Sequence, residues 1–295
     1  MGTAAIERTT PIETTPPFPG LVVEVKNWQT IQKTRIRVET PIKGYLRNIG
    51  VIEKDAKPAL DELLALSIQN GAPLWMVDQL HLMKSAEKEA AKRIQAQWKH
   101  HPLAPWVETV PGVGPHSCAV VVGMLNGDPA VAYPIRREGP RGASRWIMEE
   151  PFERTLAQLW QYCGYGDPTV RRYAGMPQDA ALRLGNPLLK SQLHLMAEDA
   201  VKCNGAPDKN GRERPLSPYR AVYDARRAET ADRLHERSCS RCGPSGHPAQ
   251  PGSPWSKKHQ MFDAHRILLK YGFLKDLRLA SRRLQHGMAG AGDDE

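Results

Sequence analysis

The chain has 295 residues, with 41 lysines and arginines against 32 aspartates and glutamates, a formal net charge of +9 at pH 7. That length accommodates two modest domains, or one domain with a long arm. The charge favours an acidic partner, nucleic acid ahead of an anionic membrane, with a solubilising basic surface as the plain alternative.

Residues 1–20 are rich in threonine and proline, cannot bury a core, and read as a disordered tail. No apolar leader follows Glu7 and Arg8, and the longest apolar run, 119–125, is too short to span a bilayer. The expected setting is therefore cytoplasmic and nucleoid-associated, with no membrane partner. There the five cysteines serve as thiols or metal ligands rather than disulfides.

Residues 21–102 read as a helical arm, with 22–25 as a candidate short strand. Leu60, Leu63, Leu64 and Ser67 keep helical spacing, and Gly71 closes that element. Met76, Leu80, Met83, Ala86, Ala90, Ile94 and Trp98 then form a stripe with a period of about 3.6 residues. Such a stripe suits an ordinary core-facing helix, an antiparallel arm, or a dimer coiled coil that would make the chain a homodimer through this arm. His100-His101-Pro102 stops it.

Residues 103–237 read as a mainly α domain that opens on Val110-Pro111-Gly112-Val113-Gly114-Pro115. This glycine turn lies between a short element, 103–110, and an apolar helix, 117–125, which is the layout of a helix-hairpin-helix. In that motif hairpin amides at the positive end of a helix hold a DNA phosphate without reading sequence. Gly112, Gly114 and His116 are the candidate DNA contacts; the alternative is a tight turn that merely packs two helices. Residues 130–150 read as an irregular basic loop, in which Arg136, Arg137 and Arg141 suit phosphates or a solvated surface. Residues 152–162 read as helical. Asn186-Pro187 is a cap signature for a helix that buries Leu189, Leu193, Met196 and Ala200. Ser217-Pro218 repeats the signature for a helix to about Arg237.

Residues 238–256 form a Cys/His loop, 257–287 a basic C-terminal helix and 288–295 a tail. Cys239-x-x-Cys242 with His247 and His259 is a candidate tetrahedral site for structural zinc, with His235 and His265 as competing ligands and free thiols as the other reading. No H-E-x-x-H or G-x-S-x-G pattern occurs, so no metal-hydrolase or serine-hydrolase site is visible.

Residues 103–115, the run Leu159-Trp160-Gln161-Tyr162-Cys163-Gly164, and Gly185-Asn186-Pro187-Leu188-Leu189-Lys190 together resemble the C-terminal domain of a bacterial insertion-sequence transposase family. That family joins an RNase H-like DEDD domain to a serine domain and includes the pilin-gene inverting recombinase. The likeness covers roughly 75–285 and implies a DNA-binding, transposase-like protein. Two departures stand out. The arm offers no room for the DEDD domain, so catalysis would need a partner supplying those carboxylates. Between Gly164 and Gly185 there is no serine where the family carries its nucleophile. Tyr173, or Ser191 further on, is the substitute to consider, while Arg171 and Arg172 add to the phosphate contacts. The expected function is DNA-backbone binding without independent catalysis. An active recombinase with a partner, and an RNA-binding or structural protein, are the alternatives.

Overall fold

The computed structural model describes residues 16–138, 145–166, 175–208, 210–243 and 247–285. It is mainly helical, as the sequence leads one to expect, and divides into two units, Phe18–His101 and Pro102–Glu295.

The first unit consists of α1 (Pro19–Asn48), α2 (Leu60–Gln69) and α3 (Leu74–Trp98). Residues 22–25 are helical, not a strand. Leu21, Val22, Val25 and Trp28 recur at helical spacing and are all buried, so packing overrides the β preference of the valines. α1 packs along α3, whose Leu80, Ala90, Ile94 and Trp98 are buried, so the α3 stripe is covered within the chain. Arg93 pairs with Glu24 at 2.9 Å across the two helices. At the other end Ile42, Leu46, Leu63, Leu64, Val77 and Leu80 share a core, beside a turn in which Gly71 takes φ +67°.

The second unit is built around α5 (Pro115–Met124). Every residue from Cys118 to Met124 is buried, as its unbroken apolar sequence demands. α4 (Ala104–Glu108) precedes it, and α8 (Pro187–Lys202) lays Leu189, Leu193, Met196 and Ala200 in the core beside it. Burial holds the Cys118 thiol far above its ordinary pKa and pushes that of Cys163 up to about 12, so both act as apolar side chains.

Residues 130–150 are not an irregular loop throughout. β1 (Val131–Ala132) pairs with β4 (Phe152–Glu153), and β2 (Ile135–Glu138) with β3 (Arg145–Met148), both antiparallel. Phe152 and Glu153 therefore belong to a strand, and the following helix, α6 (Leu156–Tyr162), starts only after a Thr155–Gln158 capping box. After α5 a turn with Asn126 at φ 60° and Gly127 at φ 83° delivers the buried Asp128 carboxylate. It accepts the N–H groups of Ala130 (2.7 Å) and Val131 (3.2 Å), the Ser281 hydroxyl (2.7 Å) and the Gln285 amide.

α7 (Gln178–Arg183) and α9 (Pro218–Glu229) complete the middle of the unit. α9 stops at Glu229 rather than near Arg237, because the chain beyond Thr230 pairs with 253–255: Trp255 N–H donates to the Arg233 carbonyl, and His235 N–H to that of Ser253, both at 2.9 Å. A long helix closes the unit as α10 (Lys257–Ile267), a π segment (Leu268–Phe273) and α11 (Leu274–Gln285). Gly272 in the π segment admits the Tyr219 ring, since a Cβ there would come within 2.8 Å of it. Among the described residues no helix is long and apolar enough to cross a membrane.

Candidate metal centre and glycine turn

The Cys/His loop has almost no core, yet its backbone is closely specified. Cys239 and Ala249 exchange both hydrogen bonds of an antiparallel bridge at 2.9 Å, and a second bridge joins Leu234 to Pro254. Between them the 239–242 turn closes through Cys242 N–H to the Cys239 carbonyl at 3.4 Å. Gly243 follows where no side chain fits, because a Cβ would lie 1.7 Å from the His247 carbonyl oxygen. Ser256 caps α10 by accepting the His259 N–H at 3.2 Å, which puts His259 in the first helical turn.

These constraints bring four side chains together. The ligand atoms of His235, Cys239, Cys242 and His259 all lie within 4.8 Å of one another. His259 Nδ1 is 3.6 Å from Cys239 Sγ and 3.2 Å from Cys242 Sγ. Tetrahedral zinc with bonds of about 2.3 Å to sulfur and 2.0–2.1 Å to nitrogen needs sulfur–nitrogen separations of about 3.6 Å, close to these. His235 Nε2 is buried and has no hydrogen-bond partner, a costly state for an imidazole nitrogen that a metal would relieve. The donor set thus fits a metal ion, and a zinc-like one by its two sulfurs and two nitrogens. The surroundings fit too: the Ser256 N–H donates to Cys242 Sγ at 3.4 Å, and the Ser256 hydroxyl lies 3.2 Å from the same sulfur. Trp255 stacks on His259 with centroids 4.0 Å apart and planes 5° apart, and the Arg233 guanidinium carbon sits 4.8 Å from the Trp255 ring centre.

The fourth position belongs to His235, not His247. His247 is exposed and lies outside the cluster, with its carbonyl oxygen beside Gly243. His265 lies elsewhere, buried against His194 and Tyr223. No spacing in the sequence marks Trp255; its place two residues beyond the Ser253 carbonyl that receives the His235 N–H is visible only in the fold.

The glycine turn joins α4 to α5 as expected of a hairpin. Gly112 takes φ +84° and is pressed on α8, where a Cβ would come within 2.7 Å of Ala200 Cα. Its structural role is therefore close packing as well as the turn. Gly114 does not use the left-handed region: it has φ −70°, is exposed, and has room for a Cβ. It stands as N-cap of α5 without a side-chain cap, Pro115 follows, and the first turn of the helix carries no acidic residue. His116 is half-buried there.

Among the other candidates, Arg136 and Arg137 fall on β2, opposite Ile147 and Trp146. Arg141, Arg171, Arg172 and Tyr173 lie outside the described residues. Ser191 bonds its own helix, donating to the Pro187 carbonyl at 3.0 Å, as a helical serine ordinarily does. No family model matches the chain, and no curated protein or solved structure gives a match.

Proposed function

We propose that the Pro102–Glu295 unit binds DNA through its backbone, using α4, the glycine turn and α5 as a helix-hairpin-helix, and that zinc held by His235, Cys239, Cys242 and His259 stiffens its C-terminal loop. The observation that carries the DNA reading is the start of α5. Gly112 packs the turn tightly on α8, while Gly114 and Pro115 remain exposed at an uncapped helix end with no carboxylate in its first turn. Such an end presents the positive pole of the helix dipole to a phosphate. The net charge of +9 supports the same partner. The likeness to insertion-sequence transposases extends the reading to a transposase-like protein acting on DNA.

Zinc, when bound, supplies a cross-link between two strands of loop and the first turn of α10. The chain's own residues do the rest: Ser256 holds the Cys242 sulfur by hydrogen bonds and Trp255 fixes the His259 ring plane. A salt titration of duplex binding tests the DNA reading. Log affinity should fall linearly as log salt rises, with no strong sequence preference. His116→Glu, which places a carboxylate in the first turn of α5, should weaken binding. A flat salt response, or undiminished binding by His116→Glu, refutes it.

A further inference from the structure

Around the π segment, a cation and aromatic rings lie against one another. The Lys270 ammonium lies 4.3 Å from the Trp160 ring centre and 5.5 Å from that of Tyr271. Trp160 and Tyr271 meet edge to face, with centroids 5.0 Å apart. The Lys190 ammonium lies 5.5 Å from the Tyr165 ring centre. Burial lowers the pKa of Lys190, and the charges of Arg241 and Arg266 lower it further; burial and Arg266 do the same to Lys270. Arg266 is paired with Asp263 at 2.6 Å, whereas Lys190, Arg241 and Lys270 have no carboxylate partner among the described residues.

Asp263 is shared between Arg266 and Arg226, so it leaves an excess of positive charge among the described residues here that a bound anion would ease. The rings add a second requirement. Tyr271 is 53% exposed, on a helix whose other large apolar side chains nearby, Leu268, Leu269 and Phe273, are fully buried. The backbone is shaped to hold it there. In the π segment Leu274 N–H reaches back five residues to the Leu269 carbonyl, and the Lys270 carbonyl receives the Trp160 Nε1–H at 2.9 Å. π turns of this kind recur at functional sites. Arg241 comes from the turn between the two cysteines, so the candidate metal loop supplies one of the four cations.

We propose that Trp160, Tyr271, Lys190, Arg241, Arg266 and Lys270 form a contact surface for single-stranded nucleic acid, in which the rings stack on unpaired bases and the cations take the flanking phosphates. Paired bases hide their faces from such a surface, whereas unpaired ones offer both chemistries at once. This goes beyond duplex binding at the glycine turn and does not depend on it, because the two sets share no residue. A metal held by His235, Cys239, Cys242 and His259 would fix the Arg241 backbone, which lies between two of its ligands.

The test uses the full-length chain with three fluorescently labelled probes: an oligothymidylate, an oligouridylate and a DNA duplex of equal length. Tyr271→Ala, Lys270→Ala and Arg241→Ala should each weaken binding of the single strands, on the order of ten-fold for Tyr271→Ala, and leave the duplex unchanged. Tyr271→Phe should restore it, since Phe keeps the ring. His116→Glu should do the reverse, weakening the duplex alone. The tighter of the two single strands identifies DNA or RNA as the source. The surface is refuted if the three substitutions leave single-strand binding intact, or reduce single-strand and duplex binding equally. Thermal melting of each variant checks that the fold is retained, and a ring stripped from an exposed position should shift it little.

Discussion

Replacing His235 with alanine separates the observed ligand set from the one that spacing suggests. His235 is 6% exposed and offers a buried nitrogen to the cluster, while His247 is exposed and not part of it. With free zinc at a thousand times its dissociation constant, binding adds about 4.1 kcal/mol to folding. Each kcal/mol moves the melting temperature of a domain of 150–250 residues by about 2–4 °C. His235→Ala should therefore lose one bound metal and about 8–16 °C of melting temperature at saturating zinc. The same protein stripped by a chelator should show a much smaller difference between variant and parent. His247→Ala should keep the metal and shift the melting point by no more than a degree or two, as exposed positions do. The assay is metal content by a colorimetric chelator on protein purified without added zinc, with cobalt substitution to read the ligand field. A two-sulfur, two-nitrogen site gives tetrahedral bands that His235→Ala should abolish. Retention of one equivalent of metal by His235→Ala, or its loss from His247→Ala, refutes the assignment.

Trp255→Ala removes the ring stacked on His259, so zinc should leave the site faster, about 10–100-fold weaker in affinity, as for other groups that orient a ligand; an unchanged chelator-extraction rate counts against this. Gly112→Ala puts a Cβ 2.7 Å from Ala200 Cα at φ +84°, and should cost more than the roughly 1–2 kcal/mol of left-handed strain alone, whereas Gly114→Ala should cost much less; equal denaturation midpoints for the two would contradict the packing described. His265 is buried beside His194, and burial, then the His194 charge, lowers its pKa from 6.5 to about 4, against a smaller raising effect of Glu198. Between those values the unfolded chain binds the proton and the fold does not, so stability falls as pH drops from about 6.5 toward 4, by up to about 3 kcal/mol. His265→Phe should flatten that slope in denaturant titrations of metal-free protein, and a slope as steep as the parent's refutes the attribution.

Local chemistry made much of the helical framework legible. Asn186-Pro187 and Ser217-Pro218 cap α8 and α9 where their sequences say, with Asn186 Oδ1 accepting the N–H groups of Leu188 and Leu189. The buried face of α8 follows from periodicity alone. What could not be read depends on partners distant in sequence. Val22 and Val25 look extended until α3 covers them. Ile135-Arg136-Arg137-Glu138 lacks the alternation of a half-buried strand, and becomes one only by pairing with 145–148. The fourth ligand is the clearest case. His235 and His247 stand at comparable distances from the cysteines in sequence, and the choice rests on two backbone bridges that no spacing rule contains.

The π segment also makes the C-terminal helix separable into framework and surface. A π turn is in effect one residue inserted into an α-helix and absorbed as a local bulge, so the flanking turns stay in phase. Removing a single residue from Leu268–Phe273 would restore an uninterrupted helix while leaving its ends on their original faces. His259 would still meet the cysteines, and Ser281 and Gln285 would still reach Asp128. The outward shelf of Lys270 and Tyr271 would be withdrawn, together with the Trp160 bond to the Lys270 carbonyl and the fit of Gly272 against Tyr219. A deletion, usually the harshest of lesions in a helix, would here remove one surface while keeping the two ends of the helix in register.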